Sequence, residues 1–127
     1  MKELAVSNHV RLRAAQLGID LWRNNSGGFY DDNGRFVRYG LGSFVAERDK
    51  KASSDFIGIT PVVIQPWMVG LTLGVFTAIE MKEEGWVYRP SDKRALYQNN
   101  FIDIVKKAGG YGGFATCPDD INRIIGR

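Results

Sequence analysis

The sequence predicts an α/β fold, and three observations lead there: a period-two stretch at 71–82, helical stripes near 2–17 and 91–108, and an Asn33-Gly34 turn between short β-prone runs. In LTLGVFTAIEMK, 71–82, Leu71, Leu73, Val75, Ile79 and Met81 share one face, and Phe76, Ala78, Glu80 and Lys82 the other. A strand there sends Glu80 and Lys82 the same way, with Cα atoms about 6.6 Å apart. A second apolar run, DFIGITPVVI at 55–64, is expected to lie beside it, with Asp55 at its start.

Taken in order, the chain opens with a helix expected from Lys2 to Leu17 and stopped by Gly18. Glu3, Val6, Val10, Ala14 and Leu17 share a face, so Glu3 heads an otherwise apolar stripe. A carboxylate on a buried face needs a partner or a metal. Glu3 therefore either reaches a site or sits in a solvated first turn, where the helix dipole favours it. His9 lies off the stripe, as a surface histidine does. Residues 18–40 read as short strands around two turns. Asn33-Gly34 marks a hairpin. The other turn, Asn24-Asn25-Ser26-Gly27-Gly28, follows Arg23, so that Arg23, Asn24 and Ser26 either present an arginine fork and polar groups to a phosphate or form a tight turn and nothing more.

Residues 40–54, with GLGS and ERDKK, read as a solvated loop. After the strand at 71–82, EEGWVYRPSDKR leads into a second helix over 91–108, whose apolar stripe is Tyr97, Phe101, Ile104, Val105 and Ala108. Gln98 lies at the margin of that stripe and faces inward, where it can bond to a phosphate or a metal's water; the alternative is an exposed glutamine. YGGFATC, 111–117, reads as a strand. Pro118-Asp119-Asp120 starts a terminal helix, with Arg123 and Arg127 last.

Composition narrows the function. The 127 residues fit one domain, and 44% apolar with 24% charged residues suits a folded core. The net charge of +3 leans toward an anionic partner, and the surplus lies in residues 1–51, with nine Lys and Arg against six Asp and Glu. One cysteine, Cys117, excludes an intrachain disulfide, and with one histidine it excludes zinc fingers and histidine-based nucleases. Any metal must be held by oxygen. No Gly-Lys-Ser/Thr loop occurs, which disfavours a P-loop enzyme. The polar start, MKELAVSNHVRLR, carries no secretory signal, so a cytoplasmic, intracellular protein is expected. The charge-free run 56–79 is long enough to span a membrane, but Pro61, Pro66, Gly58, Gly70 and Gly74 interrupt it, and two buried strands joined by the QPWMVG turn explain it better.

Asp55, then Glu80-Met81-Lys82, then a helix bearing Gln98-Asn99-Asn100-Phe101, resembles the VRR-NUC family of the PD-(D/E)XK nuclease superfamily, over most of the chain. WRNNSGGF and FIDIVKKAGGYGGFATCPDD are similar to small stand-alone phage members, which implies a phage or a bacterial host cell as the setting. The family usually has proline before its aspartate, where this chain has Ser54. The resemblance implies a restriction-endonuclease-like core, a central mixed β-sheet flanked by helices. It implies a Mg²⁺-dependent endonuclease acting on DNA, with Mn²⁺ substituting: Asp55, Glu80 and the Met81 carbonyl as metal ligands, Glu3 as a further candidate, Lys82 beside the attacking water, and Gln98 in the site. Two carboxylates and a carbonyl suit Mg²⁺, which prefers about six oxygen ligands and keeps several as water. Such relatives are associated with branched DNA, including four-way Holliday junctions, for which a homodimer is expected. The rival is a non-catalytic nucleic-acid-binding or assembly module on the same fold.

Overall fold

A computed structural model describes residues 2–25, 27–40 and 54–127. Ser26 and most of the loop expected at 40–54 lie outside the described residues. The architecture is mixed α/β: among the described residues there are three helices and three two-stranded sheets. The chain divides into two compact units, Met1–Thr60 and Pro61–Arg127.

In the first unit, helix α1 (Glu3–Gln16) is followed by strand β1 (Asp20–Arg23), the hairpin β2 (Gly27–Tyr30) and β3 (Phe36–Tyr39), and β4 (Phe56–Ile59). The helix ends where expected, with Gly18 at φ 74° and Ile19 N–H returning to the Ala14 carbonyl. Of its predicted stripe only Ala14 is buried. β1 and β4 pair antiparallel, Arg23 opposite Phe56 and Asp20 opposite Ile59. The chain leaves this ladder at Asn24 and returns at Asp55. Asn24 N–H meets the Asp55 carbonyl at 2.8 Å, and the Asn24 amide meets the Ser54 carbonyl at 2.9 Å.

The hairpin forms where Asn33-Gly34 predicts it, but Asp31 organises the turn. Its Oδ1 accepts from the backbone N–H groups of Asn33 (2.9 Å) and Arg35 (2.8 Å), and only Gly34, at φ 77°, is left-handed. This is a three-residue loop with a glycine bulge rather than the two-residue turn that Asn-Gly suggests. Gly27 and Gly28 belong to β2, not to the expected turn. The Phe36 ring lies where a Gly28 side chain would go and the Tyr39 hydroxyl where a Gly27 side chain would, so aromatics from β3 cover both glycines. Phe29, Tyr30, Phe36 and Tyr39 stay exposed.

In the second unit, a 3-10 turn (Pro66–Met68) precedes β5 (Thr77–Met81), α2 (Lys93–Lys107), β6 (Tyr111–Ala115) and α3 (Asp120–Ile125). β5 and β6 pair in parallel, Thr77 opposite Tyr111 and Met81 opposite Ala115, with α2 as the crossover. The strands expected at 71–82 and 55–64 are shorter than their apolar patterns, because a strand extends only as far as its partner. β6 begins at the Gly109-Gly110 turn, where Tyr111 N–H reaches the Phe76 carbonyl, so residues 71–75 lie outside that ladder. β4 is limited by the four residues of β1 and by Pro61. The neighbour of β5 is therefore β6, not the run from Asp55, as the sequence suggested. Val62, Val63, Ile64, Leu71, Leu73 and Val75 are exposed, not the buried strand residues expected. No described helix is long and apolar enough to cross a membrane.

Helix α2 is capped by the Asp92 carboxylate, which accepts from Ala95 N–H at 3.2 Å. Its buried residues are Ala95, Ile102 and Val105; of the expected stripe Val105 is buried, while Tyr97, Phe101 and Ile104 are exposed. The cause is β6. A side chain at Gly112 would stand 2.9 Å from Ile102 Cγ2 and one at Gly113 2.8 Å from Ile124 Cγ1, so the bare strand lets α2 and α3 approach it from its two faces. The terminal helix starts at Asp120, whose Oδ2 accepts from Thr116 N–H at 2.8 Å and Thr116 Oγ1 at 3.2 Å. The Thr116 N–H, helped by that hydroxyl and by Arg123, holds the Asp120 carboxyl below its ordinary value against the opposing effect of desolvation. A lowered folded pKa adds stability above the ordinary carboxylate pKa, and that stability is lost as pH falls through the lowered value. Asp120→Asn should therefore melt below the parent at neutral pH and converge with it in acid; a gap constant from neutral to acid pH would contradict this.

Candidate active site

The sequence-predicted site residues fall in both units: Glu80, Met81, Lys82 and Gln98 in the second, Glu3, Arg23, Asn24 and Asp55 in the first. In the second unit Glu80 and Lys82 alternate onto one face of β5, and Glu80 lies opposite Phe114 of β6. That face is the one α2 covers. Gln98, on the turn of α2 between Ala95 and Ile102, lies in line with the buried stripe. Its Nε2 donates to Glu80 Oε1 at 2.8 Å, a contact between residues 18 apart in sequence. The inward orientation expected of Gln98 is what the structure shows. Its other amide atom, Oε1, is buried without a hydrogen-bond partner, an acceptor held beside a carboxylate.

Lys82 continues the ladder, its N–H donating to the Ala115 carbonyl at 2.9 Å. The Met81 carbonyl belongs to the same planar peptide unit and so points the opposite way, out from the edge of β5 turned away from β6. The Lys82 ammonium lies 5.2 Å from the centroid of the Trp86 ring, and Trp86 packs on Phe114 at 4.8 Å, beside Tyr88. These aromatics restrict the flexible lysine stem and hold its charge on the Glu80 side of the sheet. A cavity of about 670 Å³ opens beside Glu80 and Gln98, walled by Ala78, Ile79, Phe101 and Ile102 with Arg94 and Tyr97. Tyr97 and Phe101, expected in the core, face this space instead.

In the first unit, Glu3, Arg23 and Asp55 line one cavity of about 400 Å³ with Val6, Val10 and Phe56. Glu3 is exposed in the first turn of α1, as the solvated alternative has it, and lines the same cavity as Asp55. Asn24 closes the ladder through its bonds to Ser54 and Asp55, so the expected phosphate turn has at least this structural task. The Arg23 guanidinium lies over the Phe56 ring at 5.2 Å, and Arg11 of α1 lies over the same ring at 5.6 Å.

Three participants escape a reading of the sequence alone. Trp86 follows Lys82 by four residues in a loop, a spacing without meaning until the loop folds back. Phe56 reads as an ordinary strand residue. Arg11 could have been found, since it shares a helical face with Ser7 and Ala14, at spacings of four and three.

The donors present are chemically right for a hard cation: Glu80 carboxylate, Gln98 Oε1 and Met81 carbonyl in one unit, Glu3 and Asp55 carboxylates in the other, all oxygen. No group of three Asp, Glu, His or Cys side chains able to hold a metal is gathered among the described residues. No protein-family model, no curated protein and no solved structure matches the chain.

Proposed function

We propose that the protein is a metal-dependent endonuclease with a restriction-endonuclease-like core, hydrolysing DNA phosphodiester bonds at the end of β5. The observation that carries this is the 2.8 Å bond from Gln98 to Glu80: it ties together two residues that the VRR-NUC resemblance assigns to one site and leaves a second, unpaired acceptor next to the carboxylate. Glu80 and the Met81 carbonyl would hold Mg²⁺ or Mn²⁺ at the end of β5; Asp55 and Glu3, which the resemblance also assigns as ligands, line one cavity of the first unit. A bound divalent ion would polarise the scissile phosphate and supply an activated water.

The chain's own residues do the rest. Gln98 fixes the Glu80 carboxylate, so little side-chain freedom remains to be lost when substrate arrives. Lys82, steadied by Trp86, donates N–H bonds to the attacking water or to the phosphate oxygens as charge builds on them. The water oxygen bonds to phosphorus, the bond to one ester oxygen breaks, and that oxygen leaves with a proton. Arg23 and Asn24 bind phosphates of the DNA backbone.

The rival, a nucleic-acid-binding or assembly module without catalysis, is favoured by the lack of a gathered acidic trio among the described residues. A panel of labelled duplex, flap, single-stranded and four-way-junction DNAs, incubated with Mg²⁺ or with chelator, decides between them. Cleavage dependent on the metal is expected, and binding without cleavage on every substrate would establish the rival. Preference for the symmetric junction would call for a two-fold dimer, so a monomeric mass of 14.2 kDa by light scattering would remove that substrate.

A further inference from the structure

We infer that Arg11 and Arg23, gathered on the Phe56 ring, form a two-guanidinium clamp for the phosphodiester backbone of a nucleic acid. The guanidinium carbons lie 5.6 and 5.2 Å from one ring centroid, reaching it from different elements, α1 and β1. Arg23 is there because register sets it directly across the ladder from Phe56. Arg11 is there because its helical face also carries the buried Ala14. Both side chains are exposed, and neither is ion-paired to a described carboxylate.

Two positive groups drawn to one ring repel each other, and the aromatic face offsets that only in part. An anion between or across them removes the repulsion, and the planar guanidinium, weakly hydrated and fixed against a ring, is suited to bidentate contact with phosphate oxygens. A repeating polyanion fits better than a single anion, because the two cations arrive from different elements and can each take a separate phosphate. The clamp adjoins Asp55, the residue after which Phe56 opens β4. That the gripped strand is also the one cleaved rests on the nuclease reading, which counts Asp55 among the site residues; the binding itself does not.

The test is fluorescence anisotropy of a labelled DNA oligonucleotide in EDTA across a KCl series, with the parent, Arg11→Ala, Arg23→Ala, the double variant, Arg11→Lys and Phe56→Leu. Each alanine variant should weaken binding several-fold and lower the slope of log affinity against log salt by about 1, and the double variant by about 2. Arg11→Lys, which keeps the charge and the fold, should retain the slope and lose affinity, as should Phe56→Leu, which removes only the ring. Poly-glutamate should compete far more weakly than unlabelled DNA. An unchanged slope for Arg11→Ala would overturn the clamp, and so would equal competition by poly-glutamate, which would make it a general anion site. Parent protein that binds in EDTA but never cleaves with Mg²⁺ would sink the nuclease reading alone; cleavage with a silent Arg11→Ala would sink the clamp alone.

Discussion

Glu80→Ala should lose DNA cleavage and divalent-ion binding together. Glu80 is the carboxylate at the end of β5, and without it that strand end offers only the Met81 carbonyl and the Gln98 Oε1, neutral donors too weak to hold Mg²⁺ against its hydration. The substitution also strips Gln98 Nε2 of its acceptor, an unmet hydrogen bond that destabilises by about 1–3 kcal/mol, well under the 5–15 kcal/mol typical of a domain. Glu80→Gln keeps the shape and removes only the charge. Calorimetric titration with Mn²⁺, run beside the cleavage assay, should show heat for the parent and none for either variant. Parent-rate cleavage by Glu80→Gln would show that this carboxylate holds nothing the reaction needs, and a solvated polar cluster at a strand end would then suffice to explain the site.

Lys82→Ala should separate what Glu80→Ala removes together. Metal affinity should persist or rise slightly, because the carboxylates remain and a competing cation is gone. Cleavage should fall by orders of magnitude, since loss of one donor aimed at developing charge typically lowers a rate by about 10²–10³. The same substitution frees the Trp86 face, so Lys82→Met, which leaves an apolar stem against that ring, guards against repacking of the Trp86, Tyr88 and Phe114 cluster. Both variants should bind Mn²⁺ and neither should cut. If Lys82→Ala cuts at the parent rate with purity controlled, the lysine belongs to the surface of an aromatic cluster and not to chemistry.

Periodicity and punctuation were enough to locate most elements. The glycine stops at 18 and 109–110, the Asn33-Gly34 hairpin, the acids that open α3 and the face shared by Glu80 and Lys82 all depend on neighbours within a few residues. Strand length was illegible, because Leu71, Leu73 and Val75 carry a good β pattern but lie beyond the start of β6, their only candidate partner in that unit's ladder. The buried face of α2 was legible only at Val105, for a related reason. Tyr97, Phe101 and Ile104 form the bulkier stripe, yet what the helix meets is a strand bared by Gly112, and closeness to it favours Ala95 and the branched Ile102 and Val105. That choice swings Gln98 inward to Glu80 and leaves Tyr97 and Phe101 lining a cavity. Of the site, the residue types were visible early; what fixes them, Trp86 behind Lys82 and Phe56 beneath Arg23, became visible only once loops and register were known.

The closure of β1 on β4 at Asn24 and Asp55 also bears on how such a chain can evolve. The two ends of the excursion are tied within one hydrogen bond, and the hairpin inside it has its own Asp31 turn and its own aromatic covers for Gly27 and Gly28. Doubling the length of a flexible connection adds only about 0.6 kcal/mol of closure entropy. Insertions, deletions or wholesale exchange between Asn24 and Asp55 therefore leave the register of Arg23 with Phe56 untouched. Sequence change in the β2–β3 hairpin is thereby uncoupled from the pairing of β1 with β4: descendants of this chain can vary the one while inheriting the other.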